Sequence, residues 1–191
     1  GGFEPAVQVV SSAQLSQIAV RNANQIGVAV YAAAPTIDQL QVEGSGSYPI
    51  YMELDSDPVL TNLTTSRNLA EAIQLQSTTL SDVLRLSVTN LPYAPAGDIT
   101  VGNGGTLELD PGVVLKMTNG QRLSVDGGTL NAKGTSSQPV AITSRNDDSL
   151  LGDTYHDGWT TPGRGDWRNV WLSKTSGSHT LDHLHLRYGG N

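Results

Sequence analysis

The feature that most constrains this chain is a six-residue pattern, apolar-x-x-apolar-x-apolar, that returns at a nearly fixed distance. Ile37-Asp38-Gln39-Leu40-Gln41-Val42 is its fullest copy, and Leu15-x-x-Ile18-x-Val20 and Leu60-x-x-Leu63-x-Thr65 repeat it. Leu80-x-x-Val83 repeats it with Leu86 displaced by one, and Leu181-x-x-Leu184-x-Leu186 closes the series. The first residues of four copies stand at 15, 37, 60 and 80, so the steps are 22, 23 and 20 residues. A period of that size is one coil of a β-solenoid, in which each unit buries its apolar row against its neighbours.

A second short apolar run precedes each copy. Ala6-Val7-Gln8-Val9 comes before Leu15, Gly27-Val28-Ala29-Val30 before Ile37, Pro49-Ile50-Tyr51-Met52 before Leu60, and Ala72-Ile73-Gln74-Leu75 before Leu80. Residues 1–91 therefore read as two-strand coils, punctuated by turn clusters such as Gly44-Ser45-Gly46-Ser47 and Asp55-Ser56-Asp57-Pro58. From Leu91 the texture changes to glycine-punctuated strands, with Pro92 to Ala96 as a linker between two coil types. Neither half could close off its own open sheet ends, so residues 1–191 are expected to form one domain. The 21 Gly, 9 Pro and single Phe agree with a turn-rich β chain.

The segments Asp98-Ile99-Thr100-Val101, Gly105-Thr106-Leu107, Asp110-Pro111-Gly112-Val113-Val114, Gly128-Thr129-Leu130-Asn131-Ala132-Lys133-Gly134-Thr135, Pro139-Val140-Ala141-Ile142-Thr143-Ser144 and Gly165-Asp166-Trp167 resemble right-handed parallel β-helix repeat proteins of bacterial cell surfaces. The resemblance implies an all-β, right-handed parallel β-helix of the pectate-lyase-like superfamily, with uncapped coils of about 20–25 residues. It also implies an extracellular or cell-surface location of bacterial type, and a structural or adhesive role without enzymatic activity. Fold transfers along such a likeness better than function does.

The chemistry-bearing residues concentrate between Asn146 and Arg164, a long stretch without strand periodicity that reads as a flap. Asp147 and Asp148 are adjacent carboxylates, and with Trp159 and Trp167 they make a candidate carbohydrate-binding or carbohydrate-cleaving surface, the alternative to a structural role. The resemblance also implies a calcium loop at Asp153-Thr154-Tyr155-His156-Asp157-Gly158, with Asp153 and Asp157 as candidate Ca2+ ligands and Tyr155 where a middle oxygen ligand would stand. Apart from that candidate ion no cofactor is expected. Trp159 and Trp167 are read as holding the flap against the solenoid. His183 and His185 are read as an i, i+2 pair on one face of the last strand, with His179 just before it. Asn24, Asn68 and Asn90 are candidates for an interior asparagine ladder, and the Asn62-Leu63-Thr64 sequon is assigned to a core strand. No nucleophile elbow, phosphate loop or His-Glu-x-x-His pattern occurs.

The net charge of −7, with 18 acidic and 11 basic residues, disfavours a nucleic-acid partner, because no Lys/Arg cluster is present to displace counterions from phosphates. No apolar run approaches the roughly 20 residues that span a bilayer. A chain opening on Gly1 is expected to be a mature form or an excerpt of an exported protein. Neither end carries a helical or polar cap, and the first strand signal (Phe3, Pro5, Val7, Val9) and the last (Leu181, Leu184, Leu186, Tyr188) look complementary. The expected partner is the chain itself, stacked head to tail, with cell-surface polysaccharide as a further candidate. A tandem array is the covalent version, the step from Leu181 to a following Leu15 being 25 residues.

Overall fold

A computed structural model describes residues 4–175 and 177–190, and every regular element in it is a strand. The first coil runs through β1 (Val7–Val9) and β2 (Gln14–Arg21), the second through β3 (Val28–Val30) and β4 (Thr36–Glu43). The third holds β5 (Ile50–Met52), β6 (Val59–Thr61) and β7 (Thr64–Ser66). Then come β8 (Ile73–Leu75), β9 (Thr79–Leu80) and β10 (Val83–Leu86), followed by β11 (Tyr93–Pro95), β12 (Ile99–Val101) and β13 (Thr106–Leu109). The chain continues through β14 (Val114–Met117), β15 (Leu123–Val125) and β16 (Thr129–Lys133), and ends with β17 (Val140–Ser144), β18 (Val170–Leu172), β19 (Thr180–Asp182) and β20 (Leu184–Leu186). No helix of the described residues is long and apolar enough to cross a membrane.

All pairings are parallel, which makes the molecule a β-solenoid. One eight-stranded sheet, β1-β3-β5-β8-β11-β14-β17-β20, runs its whole length. Its register lays down a continuous row: Val7, Val28, Ile50, Ile73, Tyr93, Leu115, Ile142 and Leu186. From Val28 to Ile142 no member of this row is more than 2% exposed. A row of touching aliphatics buries about 1.5–3 kcal/mol of side chain per rung, and this row is the spine of the core.

The apolar-x-x-apolar spacing has a specific cause. Gln17, Gln39 and Asn62, the third residues of three successive copies, have φ of 57°, 54° and 51°. A left-handed residue at this place turns the chain through a corner, so the residues on both sides of it, Ile37 and Leu40, point inward (1% and 2% exposed) while Gln39 stays exposed. The ladder Leu15–Ile37–Leu60 confirms the first two steps of the period.

The fourth copy departs from it. Leu80 lies in β9 and pairs with Val101, not with Leu60. Its corner has one residue more, so Leu84 and Leu86 are buried at 0% while Val83 is 48% exposed. Here β2, β4, β6 and β7 end, and two new sheets begin, β9-β12-β15-β18 and β10-β13-β16-β19. Side chains stitch the change of sheet: Arg85 N donates to Asp57 Oδ1 (3.0 Å) and Asn90 Nδ2 to the Leu63 carbonyl (2.9 Å). The coil type therefore changes at β9. The stretch expected as a linker, Pro92 to Ala96, contains β11, a central strand of the long sheet, because Tyr93 is a rung of the spine. Leu181 is likewise in a different sheet from Leu15, pairing with Ala132, so the 25-residue step between them does not measure a coil.

The glycines of the later coils allow backbone to lie on backbone. A Cβ at Gly105 would stand 2.3 Å from the Leu80 carbonyl oxygen, and one at Gly128 would stand 2.5 Å from that of Gly102.

Candidate functional site

Two features stand out from the regular coils: a strap across the outer face of the long sheet, and the two ends of the solenoid. The strap is the 146–164 stretch between β17 and β18. In β14, Leu115 and Met117 face the core, so Lys116 points outward, yet it is 0% exposed. The strap covers it. Lys116 Nζ donates to the Gly152 carbonyl (2.9 Å) and to Thr154 Oγ1 (2.7 Å). Burial pushes this ammonium below the usual lysine range, and Asp148, Asp147 and Asp153 partly offset the push. Beyond Lys116 the strap runs back along the solenoid: Glu71 N, beside β8, donates to the Thr154 carbonyl (2.8 Å). Tyr155 reaches a hydrogen bond with Tyr48, beside β5, and burial, then Tyr48, pushes its phenol well up.

The carboxylates singled out from sequence anchor this strap. Asp147 is 1% exposed, accepts from Thr143 Oγ1 (2.6 Å) and Ser149 Oγ (2.5 Å), and pairs with Arg187 Nη1 at 3.2 Å. Asp148 is 4% exposed and accepts from Thr160 N (2.7 Å) and Thr160 Oγ1 (2.9 Å). Asp166, missed in the sequence, ties the end of the strap to β17 by accepting from Ser144 Oγ (2.6 Å) and Gly163 N (3.0 Å). Each carboxylate oxygen that closes a loop N–H or hydroxyl in this way satisfies a group that would otherwise be stranded over the sheet.

The two tryptophans have opposite surroundings. Trp167 is 1% exposed, and its Nε1 donates to the Arg187 carbonyl (2.7 Å), which locks the strap's exit to the coil of β20. Trp159 is 82% exposed and does not hold the strap down, contrary to the expectation. Asp153 serves as a turn cap: its oxygens accept from Tyr155 N (3.2 Å), Asp157 N (3.3 Å) and Gly158 N (2.9 Å). Desolvation acts against its charge and these N–H bonds outweigh it, so its carboxyl lies below the usual range. Asp157 faces Arg145 instead, at 3.8 Å. Among the described residues no group of three His, Cys, Asp or Glu is gathered around a point that a metal ion would fill.

His183 stands at the corner between β19 and β20 with φ of 45°, so it shares no strand face with His185; its Nδ1 lies 2.7 Å from Asp182 Oδ1. His179 Nδ1 accepts from Leu130 N (3.1 Å). Of the asparagines, Asn68 is buried and bridges coils through the Val42 carbonyl and Ser45 N, Asn90 caps Leu63, and Asn24 is exposed, so no ladder forms. Asn62 is an exposed corner, not a core strand residue.

The ends are chemically distinct from the body. At one end β18, β19 and β20 are the last strands of their sheets, and Leu172, Leu181 and Leu186 are 39%, 45% and 53% exposed, although the rows they extend are buried. Leu184 is partly buried against the core and Tyr188 is half-buried beside the strap's exit. At the other end β1 and β2 are the first strands, and Val7, Leu15 and Ile18 are only partly buried; Val9 is buried and Pro5 half-buried. Phe3 lies outside the described residues.

No protein-family model, no curated protein and no solved structure matches this chain. The likeness noted in the sequence therefore stands on the parallel β-solenoid fold.

Proposed function

We propose that this chain is a structural extracellular protein of bacterial cell-surface type, which builds a filament, sheath or stalk by head-to-tail stacking of β-solenoid coils. The observation that carries the reading is that Val7 and Leu186 are the first and last members of one row, each on an unpaired sheet edge. Stacking a second copy sets its Val7 on Leu186, and so continues a row already eight rungs deep in register. The same step lays the β2 edge, with its corner at Gln17, over the edges of β18 and β19, so Leu15 and Ile18 meet the exposed Leu172 and Leu181. Unpaired parallel edges and an apolar core cut across are what a further coil covers.

The test is negative-stain imaging of the purified 191-residue chain over a range of concentrations, alongside its mass on a denaturing gel. Unbranched filaments of uniform width built from 20.1 kDa subunits are expected. A particle that stays monomeric at the highest concentration overturns the reading.

A further inference from the structure

The strap covers only part of the outer face of the long sheet. Beyond its tip, where Tyr155 meets Tyr48, the face opens into a hollow of about 390 Å³ lined by Gln25, Ile26, Tyr31, Ser47, Tyr51 and Gln74. Tyr51 and Gln74 are partners across β5 and β8 and project outward between core residues, so rigid strands fix the floor of the hollow. The rings of Tyr31 and Tyr51 stand 5.7 Å apart at 48°, a tilted pair of half-buried side chains that both line the hollow. Two carboxamides and a hydroxyl, from Gln25, Gln74 and Ser47, complete the lining with groups that both donate and accept.

We propose that this hollow binds a neutral pyranose sugar of a glycan chain. A sugar ring presents C–H faces that pack on aromatic rings and equatorial hydroxyls that need partners of both polarities, and this lining supplies both. Its size suits one or two sugar units. Neutrality follows from the charges: the lining contains no cation, and the phenol of Tyr51, pushed up first by burial, is pushed further by the nearby carboxylates of Glu53 and Asp55, so an acidic sugar would enter a field of its own sign. The site is distinct from the strap, whose Asp147, Asp148 and Trp167 are buried in structural bonds. It does not depend on stacking, although a filament would repeat it once per subunit and gain avidity.

The test is affinity electrophoresis of the intact chain through gels containing a mixed-linkage β-glucan, a mannan, a xylan or a galactan, with polygalacturonate as the acidic probe. Retardation by at least one neutral polysaccharide is expected, weakened tenfold or more by Tyr51→Ala and less by Gln74→Ala, with the melting temperature of each variant measured in parallel. Trp159→Ala should leave the retardation unchanged. No retardation in any neutral gel, binding only to polygalacturonate, or binding lost with Trp159 and kept without Tyr51 and Gln74 would each overturn the assignment.

Discussion

Tyr93 carries more of the fold than its place in an apolar row suggests. Its ring is one rung of the spine, 2% exposed, and its hydroxyl oxygen accepts from Val88 N (3.0 Å) and Ser87 N (3.2 Å), two amides of the turn leaving β10. Tyr93→Phe keeps the rung and strands both donors, so a loss of about 1–3 kcal/mol is expected in denaturant unfolding. The same residue gives the chain an alkaline limit. Burial pushes its phenol from 10.0 up to about 12. Between those values the unfolded chain has released the proton and the folded chain has kept it, so stability is intact below pH 10 and falls as pH rises toward 12, by about 3 kcal/mol from this group. Unfolding midpoints from pH 9 to 12 should fall more steeply for the wild type than for Tyr93→Phe; parallel slopes would show that Tyr93 is not the group responsible. At the corner of β4, neighbouring residues should respond in opposite ways. Leu40→Asp puts an unpaired charge into the row and should cost upward of about 4 kcal/mol, whereas Gln39→Gly, exposed at φ 54°, should change stability by less than about 1 kcal/mol in either direction. Equal shifts for the two would mean that the corner is misplaced.

At the scale of elements, the strap is held by one central cation and a set of peripheral carboxylates. Lys116→Met preserves the bulk over β14 and removes the burial cost of a charge, but it frees the Gly152 carbonyl and Thr154 hydroxyl. The expected result is local: limited proteolysis within 150–160 should accelerate by about tenfold while the global melting transition moves little, since the coils keep their ladders. Global unfolding in step with strap cleavage would mean the strap is integral to the core. How far such elements were legible depends on the range of the contacts that make them. Leu15, Ile37 and Leu60 announced their ladder because each coil repeats the same local corner. Leu80 and Leu181 show the same letters in other sheets, because apolar-x-x-apolar reports a corner of any kind and not which sheets meet there. The strap was visible at 146–164 as an interruption of periodicity, but its route was not: Lys116 and Thr154 are 38 residues apart, and nothing local to either names the other. Asp147 and Asp148 looked like a surface pair for the same reason, their burial being set by Thr143, Thr160 and the distant Arg187. Trp167 and Trp159, alike as letters, were separated only by whether a strand stood beside them. The hollow between Tyr31 and Tyr51 was not foreseen, because it forms where consecutive coils meet.

For the whole molecule, the proposed stacking contact is heterologous: the β18–β19–β20 end of one copy meets the β1–β2 end of the next, and neither end matches itself. This polarity separates stacking from ordinary apolar aggregation. Leu186 is 53% exposed in the free chain, so Leu186→Arg costs the isolated fold little, but in a stack it buries a guanidinium against Val7. The variant should melt close to the wild type and form no filaments alone. Its β1–β2 end is untouched, so it can still add to a wild-type β20 end, after which that end offers arginine and accepts nothing further. Mixed with wild type at about one part in ten, it should therefore act as a chain terminator. Filaments then shorten to about ten subunits on average if the two add with equal affinity, a length readable from electron micrographs. A substitution at an isologous or non-specific apolar contact would act only by dilution, with lengths falling by the fraction of inactive protein. Filament lengths unchanged by the variant at that ratio would rule out β20 as the growing edge.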